Sequence, residues 1–535
     1  MKNSRGSTFL MALLIVPLAA LTLVSCGAGG GASGKQKGGS VVFALTGDIV
    51  ALDPSQAYDF TTNPVVNEIT EGLLKFSPAG ELLPNLAEKW ESPDPKTYLY
   101  TIRKGVKFSD GTPLTADDVV FSLNRTRDPK TASPLAWMFG SVAEIAKVDD
   151  STVKVTLSQP DAQWRYAVAT TAGHVISKAY FEAHAATFGK PDGGLLGTGP
   201  FVYKSWKAGS EIVLEKNKNY WDAANGPFID KVTFKIIEES ATRVTGLKTG
   251  EITATATLPV DLVPVVEGMS GVTVQGVEGF TDDWIAFNTK RGPFSDANAR
   301  RAAIYAFNVQ AVMDAIVKDT GVAAKNQPVG PALWTFGKDK WQAFQDKAEG
   351  YAFGLAKAKA ALAKSRSPKG FKATLVTDSN SFRINTAQAL QQNLKAIGID
   401  LEIEKVTDQE LTTRQNSGKR DYDVIMGGWG ADYPDPAANI QPFYLSSNAG
   451  DGGTNYAAYA NKKVDALLNE QSTLADDTLR ADRLIQALTL ANADAPYVFV
   501  DHPKIFFAAS KKLGGYTLSP IWYWDSILRN AYLGK

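Results

Sequence analysis

A carboxylate holds a charged ligand only where its surroundings keep water from screening it, and one stretch of this chain has that pattern. Asp421 to Pro436 reads D-Y-D-V-I-M-G-G-W-G-A-D-Y-P-D-P. Val424, Ile425 and Met426 form a short apolar run of strand type. Gly427 and Gly428 follow and leave backbone N–H and C=O groups unshielded, so a second chain could lie against them. Trp429 offers a large apolar wall, and Asp432 places a carboxylate just past it. Strand, bare backbone, ring and acid together could grip an extended molecule with a positive end. A core strand ending at a turn fits the same residues, and the stretch alone leaves both readings open.

Catalytic constellations are missing around it. The sequence has no G-x-S-x-G elbow, no H-E-x-x-H and no G-x-x-x-x-G-K-[ST] phosphate loop. The acidic pairs Asp117-Asp118, Asp149-Asp150, Asp282-Asp283 and Asp476-Asp477 are each expected at a helix start or a turn, capping backbone donors or facing water. Three histidines, His174, His184 and His502, show no metal-ligand spacing, so neither a metal nor a cofactor is expected. The chain is read as a binder and not an enzyme. An exported hydrolase is the rival class.

The elements that would position the stretch alternate between strand and helix. Strands are expected at Val41–Leu45, Tyr98–Arg103, Val106–Phe108, around Val153 to Leu157 and around Val232 to Ile236. Helical spacing of apolar residues runs from Asn63 to Phe76, and Asp110-Gly111 signals a turn. Thr115 and Asp118 fit a capping box for a helix to about Arg127. Further on come a helix from Ser295-Asp296 through Phe307, a strand Phe371–Val376, a helix Ala387–Ala396, a strand Ile399–Ile403 and the strand ending at Met426. Two helices between Asn461 and Asp494, the strand Tyr497–Val500 and a tail rich in Trp and Tyr complete the chain. The β-α-β-α-β rhythm before Met426 implies a parallel layer with its crevice at the carboxyl ends of the strands.

Bulk composition narrows the class. The 535 residues suffice for two or three cores, and 44% hydrophobic with 21% charged content is that of an ordinary soluble protein. Basic and acidic residues number 56 each, so no net field favours nucleic acid. The single cysteine, Cys26, leaves no internal disulfide. Lys2 and Arg5 precede a 16-residue apolar run, Phe9 to Val24, which is short for a membrane span but suits a signal-peptide core. It ends in Leu23-Val24-Ser25-Cys26, which resembles the bacterial lipobox, where cleavage precedes a cysteine that becomes lipidated. An ordinary secretory signal followed by a free cysteine is the alternative. Residues 27–39, rich in Gly, Ser, Ala and Lys, read as a flexible tether. The expected location is extracytoplasmic, with Cys26 anchored in the bacterial cell membrane.

A family resemblance emerges from motifs in order. Leu86-Ala87-Glu88-Lys89-Trp90, Tyr98 to Lys104 and Val106 to Val119 (V-K-F-S-D-G-T-P-L-T-A-D-D-V) come first. Gly197-Thr198-Gly199-Pro200-Phe201, Asn219-Tyr220-Trp221, Ala286-Phe287-Asn288-Thr289 with Pro293-Phe294, and Arg300 to Asn308 follow. Together they resemble the extracytoplasmic solute-binding proteins of peptide and nickel ABC importers, the oligopeptide/dipeptide-binding family 5, over most of residues 40–535. Gly427 to Pro436 falls where that family has its G-W-x-x-D segment.

The resemblance implies an α/β, periplasmic-binding-protein-like clam shell of two lobes (type II, cluster C) with a small third domain. Residues 1–25 would be a lipoprotein signal peptide and 26–39 the tether. The first lobe would comprise 40–60, 191–285 and 497–535, the extra domain 61–190 and the second lobe 286–496. It implies capture of peptides for a membrane permease driven by a cytoplasmic ATPase, by a monomer. Asp432 would take the ligand's α-ammonium, Gly427 and Gly428 the ligand backbone, and Trp429 would form a pocket wall. The segment from Asp48 to Tyr58 would supply the opposing edge, with Tyr58 as a contact. Dipeptide-binding members carry an arginine for the ligand carboxylate at a position that counts back to about Thr377, where this chain reads Thr377-Asp378-Ser379. Arg383 is expected on a helix surface, so longer peptides are favoured over strict dipeptides. The same family binds sugars and nickel complexes; an oligosaccharide stays open with eleven tryptophans, and nickel is disfavoured by the scattered histidines.

Overall fold

A computed structural model of the protein describes residues 37–347, 352–516 and 518–534. The signal segment, Cys26 and the tether as far as residue 36 lie outside the described residues. Among the described residues no helix is long and apolar enough to cross a membrane.

Ten strands run in order through one mixed sheet: Phe201–Lys207, Glu211–Lys216, Lys231–Ile236, Ser40–Leu45, Ala254–Thr255, Tyr497–Ser510, Thr281–Phe287, Val424–Gly430, Phe371–Thr377 and Ile399–Lys405. Val272–Glu278 and Gly321–Ala323 add to it by pairing with Tyr497–Ser510. That strand is 14 residues long, where the sequence implied only Tyr497–Val500. Asp501-His502-Pro503 reads as a break, yet Gly321–Ala323 pairs across it and Val272–Glu278 carries the ladder on. It is therefore hydrogen-bonded to strands on both sides of the molecule.

The expected β-α-β-α-β rhythm is present. Phe371–Thr377 runs parallel to Ile399–Lys405, with the helix Ser381–Lys395 between them. Val424–Gly430 then joins in parallel, but only through Leu375 to Val424 and Val376 to Ile425. Among the described residues no strand pairs with that edge beyond Ile425. On its other edge the strand is fully paired, antiparallel to Thr281–Phe287. The layer is thus mixed and not purely parallel.

The glycines sit inside this strand, not after it, and the ladder gives each a separate task. Residues directly opposite each other share a face. Gly427 faces Trp284, whose fully buried indole lies over it and stacks on Tyr456 at 4.4 Å. Gly428 faces Asp283 on the opposite side of the sheet and is exposed.

A separate antiparallel sheet, Ala87–Asp94, Thr97–Ile102, Thr152–Leu157 and Val142–Asp149, packs against the helix Ala116–Arg127. The capping box is present: the Asp118 amide donates to Thr115 Oγ1 and the Thr115 amide to Asp118 Oδ2 at 3.0 Å. Val106–Phe108 is not a strand; a single bridge joins Lys107 to Pro113 around the turn at Asp110-Gly111. Nor is Asn63–Phe76 one helix. It stops at Val66 and becomes the short strands Glu71–Gly72 and Leu74–Phe76. The carbonyls of Glu68 and Ile69 accept from the amides of Phe201 and Gly199, which takes them from any continuing helix.

Substitution at Gly427 tests the ladder. An added methyl would stand 2.4 Å from Gln415 Nε2 and 2.9 Å from the Trp284 ring. Gly427→Ala is expected to destabilise the protein by about 1–3 kcal/mol in urea denaturation, the range for overpacking. Gly428→Ala, whose methyl would stand 3.0 Å from Arg383 Nη2 and no closer than 3.5 Å to any other group, should lose clearly less.

Candidate functional site

The open edge of Val424–Gly430, the loop after it and both ends of the chain enclose a cavity of about 430 Å³. Of the expected site residues, Asp432, Trp429, Gly428 and Tyr58 line it. Gly427 does not; it is committed to Trp284.

Asp432 is half-buried at the end of the strand. The Tyr58 hydroxyl, arriving from the N-terminal loop, donates to its Oδ1 at 2.6 Å. From the C-terminal tail, the Trp524 indole N–H donates to the Asp432 carbonyl, and the Tyr523 hydroxyl to the Ala431 carbonyl at 2.6 Å. Burial lifts the Asp432 carboxyl to about 6, and the Tyr58 hydrogen bond opposes that shift. Burial and then Asp432 itself raise the Tyr58 hydroxyl, so it remains a donor. The Trp429 ring packs edge-on against Phe443 at 6.0 Å while also lining the cavity. Tyr58, Phe60, Phe280, Trp429, Tyr523 and Trp524 make the walls aromatic.

Two expectations are corrected at this site. Arg383 is not on a helix surface. It occupies the first turn of Ser381–Lys395, just past the carboxyl end of Phe371–Thr377, and its side chain turns into the cavity. Its Nε lies 3.3 Å from Asp283 Oδ1, and its Nη1 pairs with Asp378 Oδ2. A cation at a helix N-terminus opposes the helix dipole, and these two carboxylates offset that. Thr377, the counted position, is wholly buried.

Asp282 and Asp283 are not at a turn either. Both lie within the strand Thr281–Phe287, on opposite faces. Asp282 is 1% exposed, with its Oδ1 2.6 Å from His502 Nδ1 and its Oδ2 accepting from the Asn439 amide at 2.9 Å. Burial raises Asp282 well above the carboxylate range and depresses His502 to about 4. Asp283 stands directly across the ladder from Asp501, and burial followed by that acid's charge pushes Asp501 up to about 8. The available signal was the run Trp284-Ile285-Ala286-Phe287 immediately after the acids, which is strand-forming. The other three acidic pairs are at helix starts or turns as expected; the Asp476 carboxylate, for instance, accepts from the amides of Thr478 and Leu479. The aromatic tail residues Tyr523 and Trp524 carried no positional signal.

Residues 81–451 match the family model described as bacterial extracellular solute-binding proteins, family 5 Middle. The probable D,D-dipeptide-binding periplasmic protein DdpA of Escherichia coli K12 is 30% identical over 492 residues, 90% of this chain and 92% of that protein. Among solved structures, the periplasmic binding protein DppA from Helicobacter pylori in complex with the peptide STSA is 27% identical, with TM-score 0.76 over 94% of this chain and 99% of that one. The binding protein AgaA of A. tumefaciens R10 in complex with agropinic acid is 25% identical, with TM-score 0.75 over 93% and 99%. These neighbours have the periplasmic-binding-protein fold, and so does this chain.

The acid cluster behind the cavity predicts a pH signature. Unfolded Asp501 ionises near 3.8 and folded Asp501 near 8. Unfolding therefore releases a proton across that interval, and the fold weakens as pH rises through it. Asp501→Asn removes this loss. In urea denaturation the variant should gain on the parent by up to about 1.4 kcal/mol per pH unit between roughly pH 4 and 8, and by nothing above.

Proposed function

The chain belongs to the bacterial extracellular solute-binding proteins, family 5, and we propose that this member captures short peptides by their free amino end. The observation that carries the reading is the Asp432 carboxylate, set in an aromatic-walled cavity and touched across it by Tyr58. An ammonium is the group that a poorly solvated carboxylate recruits, because buried charges must be paired. The unpaired edge of Val424–Gly430 beyond Ile425 offers main-chain groups to an extended peptide, as in strand addition. Gly428 leaves room for it, and Trp429 bounds it. A cavity of this size is at the scale of a small-molecule site.

The remaining parts of the reading follow from export and family. Cys26 carries the lipid, residues 26–39 tether the body outside the cytoplasm, and the monomer passes its ligand to a membrane permease powered by a cytoplasmic ATPase. Segments 40–60, 191–285 and 497–535 form one lobe, 286–496 the other and 61–190 the extra domain. The lobes close on the ligand about the strand Tyr497–Ser510, which pairs with Val272–Glu278 of the first and Gly321–Ala323 of the second. The protein binds and releases without chemistry. The six aromatic walls also favour a second reading, a non-peptide solute, and the relative AgaA, in complex with agropinic acid, holds a ligand that is not a peptide.

Calorimetry of the full-length protein with Ala-Leu-Ala and its N-acetyl form tests the clamp. Acetylation, or Asp432→Asn with the free peptide, should weaken binding by about 2–5 kcal/mol. Unchanged affinity after acetylation sinks the reading. Because the Asp432 carboxyl titrates at about 6, affinity for the amine should fall as pH drops through that value, by about tenfold per unit below it. Separately, Cys26→Ser should move the protein from the membrane fraction to the soluble one.

A further inference from the structure

Charge around the cavity is unbalanced in a way the amine clamp alone does not require. Among the described lining residues the acids Asp59, Asp283 and Asp432 stand against the cation Arg383, whereas the Asp282 carboxyl is turned to His502 and Asn439 and burial keeps it from ionising. That cation is already engaged: its Nε is held by Asp283 and its Nη1 by Asp378. Three-fourths or more of all three side chains are withdrawn from solvent, and although burial pushes Asp283 up while Arg383 holds it down, the two acids leave the guanidinium no unmatched positive charge to offer. The Arg383 Nη2 that lies beside Gly428 would offer a ligand carboxylate one arm of a guanidinium already shared by two acids. A carboxylate arriving there meets like charge as well as the arginine. A cation meets acids, and it also meets the aromatic residues Trp429, Tyr523 and Trp524, whose ring faces attract positive charge through their quadrupoles.

Resting on the peptide reading above, we infer that this cavity selects cationic ligands: peptides with a basic or neutral body beyond the amino end, with acidic ones rejected and no free carboxylate needed. Asp432 takes the α-ammonium, and the Asp283–Arg383–Asp378 triad sets the charge preference of the next position. Asp283 is the specificity-determining residue. Its carboxylate turns a site that would attract anions into one that favours cations, by neutralising Arg383 from the cavity side.

The test is a matched tripeptide series against the full-length protein by calorimetry: Ala-Lys-Ala, Ala-Leu-Ala, Ala-Glu-Ala and the C-terminal amide of Ala-Leu-Ala. Ala-Lys-Ala should bind at least about tenfold tighter than Ala-Glu-Ala at low salt, the ratio narrowing as added salt screens the charges. The amide should bind at least as tightly as the free acid. Asp283→Asn should shrink the Lys-to-Glu ratio while leaving the loss on N-acetylation unchanged, which a purely structural role would not do. Equal affinities, or a preference for Ala-Glu-Ala, overturn charge selection and leave the amine clamp standing. Failure of every peptide to bind overturns both. The parent series decides the matter even where the variant does not fold.

Discussion

The antiparallel ladder between Thr281–Phe287 and Val424–Gly430 is the constraint on which the cleft depends. In a two-residue period a slip of one position exchanges the faces of every side chain. Here the register sets Trp284 over Gly427 toward the interior and Asp283 beside Gly428 toward the ligand. A large ring over a bare glycine fills the space that two side chains would otherwise contest, and fixes the register by shape. The same register then delivers Asp432 to the cavity, because the strand ends at Gly430 and the chain turns there. Core packing on one face thus determines the chemistry on the other.

The loop after the strand is held by a different device. Asp435, three residues beyond Asp432, is fully buried and pairs at 2.6 Å with Arg480, itself fully buried and lying over the Phe336 ring. Desolvating both ions is costly, and removing one partner leaves a bare charge inside. The pair therefore acts less as a source of stability than as a fixed point. Two aspartates of one short motif have opposite fates: Asp435 is spent on a buried ion pair, and Asp432 keeps its carboxylate in the cavity, hydrogen-bonded to Tyr58.

How much of this was legible in the sequence depended on the range of the interactions. Local signals held: the capping box at Thr115 and Asp118, the strand Phe371–Val376 and the rhythm of the layer. The ordered motifs identified the family, and with it the fold. What failed was whatever depended on distant partners. Asn63–Phe76 has helical spacing, but its carbonyls are claimed by Gly199 and Phe201. Asp282-Asp283 reads as a polar turn until His502, more than two hundred positions later, and Arg383 supply partners inside the fold. Gly427 and Gly428 are adjacent and chemically identical, and only the ladder opposite them separates a packing glycine from one that opens the site. Arg383 was misplaced because helix position predicts exposure on average, whereas here the buried Asp378 and the half-buried Asp283 draw the side chain inward.

The cavity joins segments that the chain keeps far apart. Tyr58 comes from near the start, Tyr523 and Trp524 from near the end, and all three bond to residues 431 and 432. The two tail bonds go to backbone carbonyls and leave the carboxylate untouched, so they set where the loop lies. The Tyr58 bond goes to the carboxylate itself, so it competes with or complements whatever charge arrives. A hydroxyl donating to a half-buried carboxylate partly replaces lost water and keeps the acid ionisable, against burial that raises it to about 6. An ammonium offers the same acceptor both a proton donor and a full charge, and a charge-assisted bond is roughly twice as strong as a neutral one. Tyr58 therefore gives the Asp432 carboxylate a neutral partner, and an ammonium would be a stronger one. Because its bond spans the cavity, Tyr58 ties the N-terminal loop to the strand end that carries Asp432.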